Sequence, residues 1–303
     1  MKAYLHAFLE KYDYPAEARE LLEGAYQRIC ADARLSKEFH SLLEEYEKDI
    51  CYSFYEKIEL MPGLGIAYGA GIHEYTGYLL LVICMSKTLK HRYQQRGLPE
   101  EVWENSMHDI KWKMLQCKAV YNIYGTFVPG WFAGFFDLQL FGIGRLQFEV
   151  VRFGRTYQQD TVSLTPESKV IGVHIPGTGT KLDRESVKSA YKQAIAFFKR
   201  WFPEVLPVFV CDSWVLFHRT LELLSPQSNL YAFASDYDII SQKEETTYWG
   251  YFWVFDKHYR GNVDEMPQDT SLRRGYADCL RKGLKTGVGF GVYIYKEQEE
   301  KET

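Results

Sequence analysis

A run rich in β-branched residues, Lys169-Val-Ile-Gly-Val-His174, breaks at Ile175-Pro176 into a glycine-rich segment, Gly177-Thr178-Gly179-Thr180-Lys181. Strand, turn and following helix form a setting in which many enzymes hold a phosphate. With no Cβ at Gly177 and Gly179, backbone amides can point inward together and approach an anion closely, and Lys181 adds positive charge beside them. The plain alternative is that glycine and proline only turn the chain between two core elements. Three side chains could move or orient protons near such a site. His174 closes the strand, and histidine is the residue type most often used as a general base; packed and hydrogen-bonded under the turn, it would be structural. Asp212 follows Cys211 at the end of the next strand, where it could orient an amine or a base, or serve as a solvated loop residue or helix cap. Glu149 lies on an earlier strand, where an inward carboxylate needs a partner such as Arg145 or Arg152; an exposed cross-strand ion pair is the other reading.

Other chemistries fit the spacing poorly. A dinucleotide-binding turn needs G-x-G-x-x-G, and the third glycine is missing after Gly179. Neither Gly172 nor Gly177 begins a G-x-x-x-x-G-K-[ST] loop, which disfavours ATP hydrolysis. Val210-Cys211-Asp212-Ser213-Trp214 invites a covalent reading with Cys211 or Ser213 as nucleophile, but it is not G-x-S-x-G and no spacing identifies a dedicated base. Tyr231 and Tyr237 are acid candidates by reach and hydroxyl pKa alone. The six cysteines are scattered, with no C-x-x-C pair and no Cys/His cluster at zinc spacing, so no metal site is expected.

The elements that must position these residues fall into two groups. From the start to about Gly125 the pattern is helical, and its spacing predicts helices over Pro15–Ala31, Ser36–Leu60, His73–Arg96 and Pro99 to about Tyr124. The third is apolar all round between Tyr78 and Met85 and belongs at the centre. Its Lys87, Lys90, His91, Arg92 and Arg96 suit a solvated helix C-terminus. After Gly125 a short aromatic helix, Trp131–Phe141, leads into strands expected at Arg145–Phe153, Val170–Ile175, Val208–Val215, Leu230–Ile239, Tyr248–Phe255 and Gly289–Tyr295. Helices are expected between them at Arg184–Phe202, Phe217–Leu224 and Ser271–Gly283, with Asp183 as N-cap of the first. The expected fold class is α/β (α+β): a helical domain over 1–125, then a mixed-sheet α/β domain over 126–303, with a frayed tail from Glu297.

With 303 residues and 46% hydrophobic content, the chain can bury a sizeable core, and chains of this length commonly form two domains. A net charge of −4 with both signs interspersed leaves no broad basic surface, which disfavours nucleic acid as a partner. Aromatics reach 16%, and without a basic groove they read as core packing and pocket lining. The longest apolar run, Gly77 to Met85, is far short of the roughly 20 residues that span a bilayer, so no membrane span is expected. The N-terminus soon meets charges and lacks a signal-type apolar stretch, which gives a cytoplasmic expectation.

His174-Ile-Pro-Gly177-Thr-Gly179 resembles the [QR]-x-x-G-x-[GA] pattern of GNAT-type N-acyltransferases, with histidine in the first place. In that family the amides at this turn hold the pyrophosphate of coenzyme A; here the helix is expected to begin only after Asp183. Gly142-Ile-Gly-Arg-Leu-Gln-Phe-Glu149, Ala196-Phe-Phe198 with Phe202-Pro203, Phe209-Val-Cys-Asp-Ser-Trp214 and Pro226-x-Ser-Asn229 extend the likeness. Together they resemble a bacterial family of two-domain acyltransferases, in which a helical N-terminal domain precedes a GNAT-like C-terminal domain. The resemblance implies acyl-CoA as co-substrate, acetyl-CoA first, and direct transfer to an amine of a small molecule or peptide. On that reading Gly177, Thr178, Gly179, Thr180 and Lys181 would hold the coenzyme; the resemblance transfers no catalytic residue, and His174, Asp212 and Glu149 are the candidates for the proton chemistry from their own placement. A non-catalytic GNAT-like protein, binding a ligand in an aromatic cleft between its domains, is the alternative.

Overall fold

The computed structural model describes residues 1–48, 53–60 and 62–296. Cys51, part of the helix expected over Ser36–Leu60, and the tail from Glu297 lie outside the described residues. The chain forms two compact units, Met1–Gly142 and Ile143–Thr303.

The first unit is helical: α1 (Lys2–Lys11), α2 (Ala16–Ala31), α3 (Ala33–Lys48), α4 (Pro62–Gly69), α5 (Glu74–Arg96), α6 (Glu100–Tyr121) and the short α7 (Ala133–Phe136). A π-helical turn occupies Tyr55–Leu60. As expected, α5 is central. Every residue from Thr76 to Ser86 is buried, and α1, α2, α3, α4 and α6 all pack on it. Its closest neighbour approaches through small residues: a Cβ on Gly77 would stand 2.7 Å from that of Ala67 on α4. His73 Nδ1 accepts the Tyr75 N–H at its start, and Gly97 ends it with φ of 66°. The basic end of α5 is less solvated than its composition suggests. Arg92 donates to the Tyr46 carbonyl and stacks 4.0 Å from that ring, and Lys90 pairs with Glu100 at 3.1 Å.

Residues 125–142 pack within this unit. The Thr126 N–H donates to the Tyr75 carbonyl and Trp131 Nε1 to buried Asp109 at 2.8 Å. The single aromatic helix expected over Trp131–Phe141 is instead a 3-10 turn, Pro129–Phe132, the four residues of α7, and then a strand. Leu138, at φ of 55°, breaks the helical path between them.

The sheet is built from β1 (Leu140–Ile143), β2 (Leu146–Arg152), β5 (Lys169–His174), β6 (Val208–Ser213), β7 (Asp238–Glu244) and β8 (Gly287–Ile294), in the order β1-β2-β5-β6-β8-β7. A separate hairpin, β3 (Tyr157–Gln159) with β4 (Val162–Leu164), joins β2 to β5. In this mixed sheet β5 and β6 run parallel, while β2–β5, β6–β8 and β7–β8 are antiparallel. Helix α8 (Arg184–Trp201) provides the β5–β6 crossover and covers one face. There Tyr191 meets Phe209 at 4.6 Å and Phe148 at 6.0 Å, centroid to centroid. Each such ring buries on the order of 200 Å², about 5 kcal/mol by area as an upper bound. The opposite face buries Phe153, Val170, Val208, Val210 and Val292 together with Leu164 of the hairpin.

Two expected strands are helices. Over Leu230–Ile239 the chain first forms α10 (Asn229–Ala234), after the short α9 (His218–Leu223), and only then enters β7. Ser228 Oγ accepts the Tyr231 N–H and caps α10, so a local side-chain bond overrides the apolar alternation that suggested a strand. The strand expected over Tyr248–Phe255 is α11 (Tyr251–Phe255), stopped by Asp256 at φ of 50°. Tyr251, Val254 and Phe255 of α11 share a second core with Tyr276, Ala277 and Leu280 of α12 (Ser271–Arg281), and this packing outweighs the strand preference of aromatics.

Candidate active site

The site follows from how far β5 and β6 pair. Their parallel register runs only through Ile171 with Phe209 and Gly172 with Val210. Beyond it β5 continues outward against β2, with His174 opposite Gln147, and β6 continues against β8, with Asp212 opposite Phe290 and Ser213 opposite Gly289. The strands therefore part at their C-terminal ends, which opens a gap in the middle of the sheet.

Strand alternation decides which side chains face it. Gln147, Glu149, Gly172, His174, Val210 and Asp212 occupy like-facing positions in the registers, on the side away from α8. Glu149 stands opposite Gly172, two pairs along from His174 and so on the same face. With no side chain at Gly172, the imidazole reaches across, and His174 Nε2 lies 2.9 Å from Glu149 Oε2. Both side chains are about one-third exposed, at 32% and 33%. The pair is thus only partly withdrawn from solvent. Asp212 shares this face and is exposed, and its side chain makes no hydrogen bond or ion pair among the described residues.

The partners expected for Glu149 are engaged elsewhere. Arg152 pairs with Glu167. Arg145 sits after Gly144 in the tight turn between β1 and β2 and reaches the glycine-rich segment. Its Nη1 donates to the Pro176 carbonyl at 3.1 Å, Nη2 to Thr180 at 3.1 Å and Nε to Lys181 at 3.2 Å. Nothing in the residue pattern separated this role from an ion pair on the strand, since Arg145 lies in the turn, outside the alternation. Gln147 was also missed: it is buried, directly opposite His174 in the register.

The turn itself is exposed from Gly177 to Lys181 apart from a half-buried Thr178. Only Gly179 needs glycine for its backbone, with φ of 72°, whereas a Cβ at Gly177 would meet open space. Thr178 Oγ1 and Thr180 Oγ1 lie 2.6 Å apart, and Thr178 Oγ1 also accepts the Thr180 N–H at 3.3 Å. Among the described residues, the N–H groups of Gly177, Gly179 and Lys181 have no acceptor. Helix α8 begins at Arg184, and Asp183 Oδ1 accepts the Ser186 N–H at 2.9 Å. Those amide bonds hold the Asp183 carboxyl below the usual carboxylate range. The helix start is therefore occupied by its own carboxylate.

The covalent reading fails on geometry. Cys211 faces α8, is 2% exposed, and burial pushes its thiol up to about 12. Ser213 Oγ accepts the Val215 N–H. Tyr237 is buried, with its hydroxyl 2.7 Å from that of Tyr191, and desolvation raises both well above the ordinary phenol. Tyr231 contributes its backbone N–H to the Ser228 cap of α10. Among the described residues no group of three or more His, Cys, Asp or Glu side chains is placed to hold a metal ion. No described helix is long and apolar enough to cross a membrane.

Comparison with known proteins agrees with this architecture. Residues 3–138 match the N-acyltransferase N-terminal domain and residues 140–293 the GNAT-like C-terminal domain. No curated protein matches the chain. Among solved structures, an acyltransferase in complex with decanoyl-CoA superposes with a TM-score of 0.74 at 19% identity, covering 95% of this chain and 86% of that one. An acyltransferase in complex with decanoyl-CoA and teicoplanin gives 0.71 at 22%, covering 95% and 94%. An acyltransferase in complex with CoA and 10C-teicoplanin gives 0.72 at 22%, covering 96% and 95%. The helical first unit, the parted mixed sheet of the second and the two domain matches, which together run from residue 3 to residue 293, lead to one assignment: the chain belongs to the two-domain acyltransferases with an N-acyltransferase N-terminal domain and a GNAT-like C-terminal domain.

Proposed function

We propose that this protein transfers an acyl group from acyl-CoA to a primary amine by direct attack. The observation that carries this reading is the parting of β5 and β6 with the His174–Glu149 pair beside the gap and the turn at 177–181 after it. The thioester lies in the gap, where strand backbone amides polarise its carbonyl, and the coenzyme phosphates meet the open amides of Gly177, Gly179 and Lys181, with the Lys181 ammonium near them. His174, oriented by its contact with Glu149, takes the amine proton directly or through water. The amine nitrogen bonds to the carbonyl carbon, the C–S bond breaks, and the thiolate leaves to be protonated as CoA. Asp212 orients the incoming amine. Binding of decanoyl-CoA and octanoyl-CoA by solved structures of like fold supports medium-chain donors alongside acetyl-CoA, and teicoplanin in one of them supports a small-molecule acceptor.

The test is the rate of CoA thiol release from acetyl-, octanoyl- and decanoyl-CoA with a panel of primary amines. Amine-dependent release with at least one donor is the expected result. Binding of these thioesters without release for any amine would favour the non-catalytic reading, for which the occupied start of α8 at Asp183 speaks.

A further inference from the structure

The glycine-rich turn makes few hydrogen bonds of its own, yet its path is set from outside. The three guanidinium nitrogens of Arg145 each donate to a carbonyl, those of Pro176, Thr180 and Lys181, so one planar group gathers both ends of the turn. In a trans peptide the C=O and the following N–H point in opposite directions. Drawing the Pro176 and Thr180 carbonyls toward the guanidinium therefore turns the Gly177 and Lys181 N–H groups away from it, and these two have no acceptor among the described residues. Arg145 is itself fixed from behind. Gly144, at φ of 57°, lies against α8 so closely that a Cβ would stand 3.2 Å from that of Ala190, which pins the turn bearing Arg145 to the helix that the glycine-rich segment leads into.

We propose that Arg145 is a positioning residue for coenzyme phosphate: it shapes the 177–181 turn so that its amides face an anion, and acts through the turn rather than on the reacting atoms. This rests on the acyl-CoA reading above. Its specific content is that Arg145 matters for the phosphorylated part of the donor and not for the thioester.

The test compares affinity for octanoyl-CoA with affinity for octanoyl-pantetheine, which carries the same thioester without phosphates, in the wild type, Arg145→Met and Arg145→Lys, each checked by thermal melting. The wild type is expected to prefer octanoyl-CoA. Arg145→Met is expected to weaken octanoyl-CoA about 10- to 100-fold, the worth of charge-assisted bonds, and to leave octanoyl-pantetheine unchanged. Arg145→Lys keeps the charge but cannot span three carbonyls, and is expected to stay close to Arg145→Met; it also carries the test if the methionine variant does not fold. Equal loss for both ligands makes Arg145 merely structural and overturns the proposal, as does full affinity in Arg145→Lys. A wild type that does not distinguish the two ligands overturns the phosphate reading of the turn itself, a failure separate from the first two.

Discussion

His174 and Glu149 were each visible as chemistry-bearing residues, but their contact was not. It depends on the β2–β5 register, and those strands are separated by the β3–β4 hairpin, so nothing local fixes which residue meets which. The pair, once formed, gives His174→Ala and Glu149→Gln different expected costs. Loss of the base lowers kcat roughly 10²- to 10⁴-fold, and loss of the orienting charge lowers it about tenfold, measured as amine-dependent CoA release. Cys211 offers a complementary check. Among the described cysteines only Cys30 is exposed, so alkylation of the native protein is expected to modify Cys30, spare Cys211 and leave activity intact. The burial that raises the Cys211 thiol also has a sign for stability: the native thiol resists ionisation while the unfolded one does not. Its contribution is complete below the ordinary thiol value near 9 and is lost as pH rises toward about 12. Unfolding midpoints measured across that alkaline range check the direction.

At the scale of elements, the long helices and the central strands were legible because apolar period and caps agree, as for α8 with Asp183 before it and its buried stripe of Val187, Ala190, Tyr191 and Ala194. The failures have specific causes. At α10 a serine cap, and at α11 packing against α12, overrode residues whose composition favours strands. Ser228→Ala therefore tests the helical assignment directly: it removes the Tyr231 N–H acceptor and is expected to cost about 1 kcal/mol in denaturant unfolding. The two turn glycines are expected to behave differently. Gly177→Val has room and an ordinary φ, so the fold should keep its melting midpoint, whereas Gly179→Val forces a β-branched residue to φ of 72° and should lower it.

For the whole molecule, length and hydrophobic content made two units a fair expectation, and the helical and mixed-sheet characters of the two halves were legible from their periods. The parting of β5 and β6 was not, because it reflects where a parallel register stops, which alternation within single strands cannot reveal. If that gap and the adjoining turn hold coenzyme, the folded protein is linked to its ligand, and CoA at 100 times its dissociation constant should stabilise it by about 2.7 kcal/mol. An unfolding midpoint that rises with CoA concentration checks this.

The most direct test of the central claim is calorimetric titration of the wild type and of Gly177→Val with octanoyl-CoA. Binding by the wild type, and at least about tenfold weaker binding by the variant at an unchanged melting midpoint, is the expected result, since a β-branched side chain at Gly177 hinders close approach of an anion to the turn backbone. Equal affinity in the two proteins, or no binding by the wild type, would contradict it.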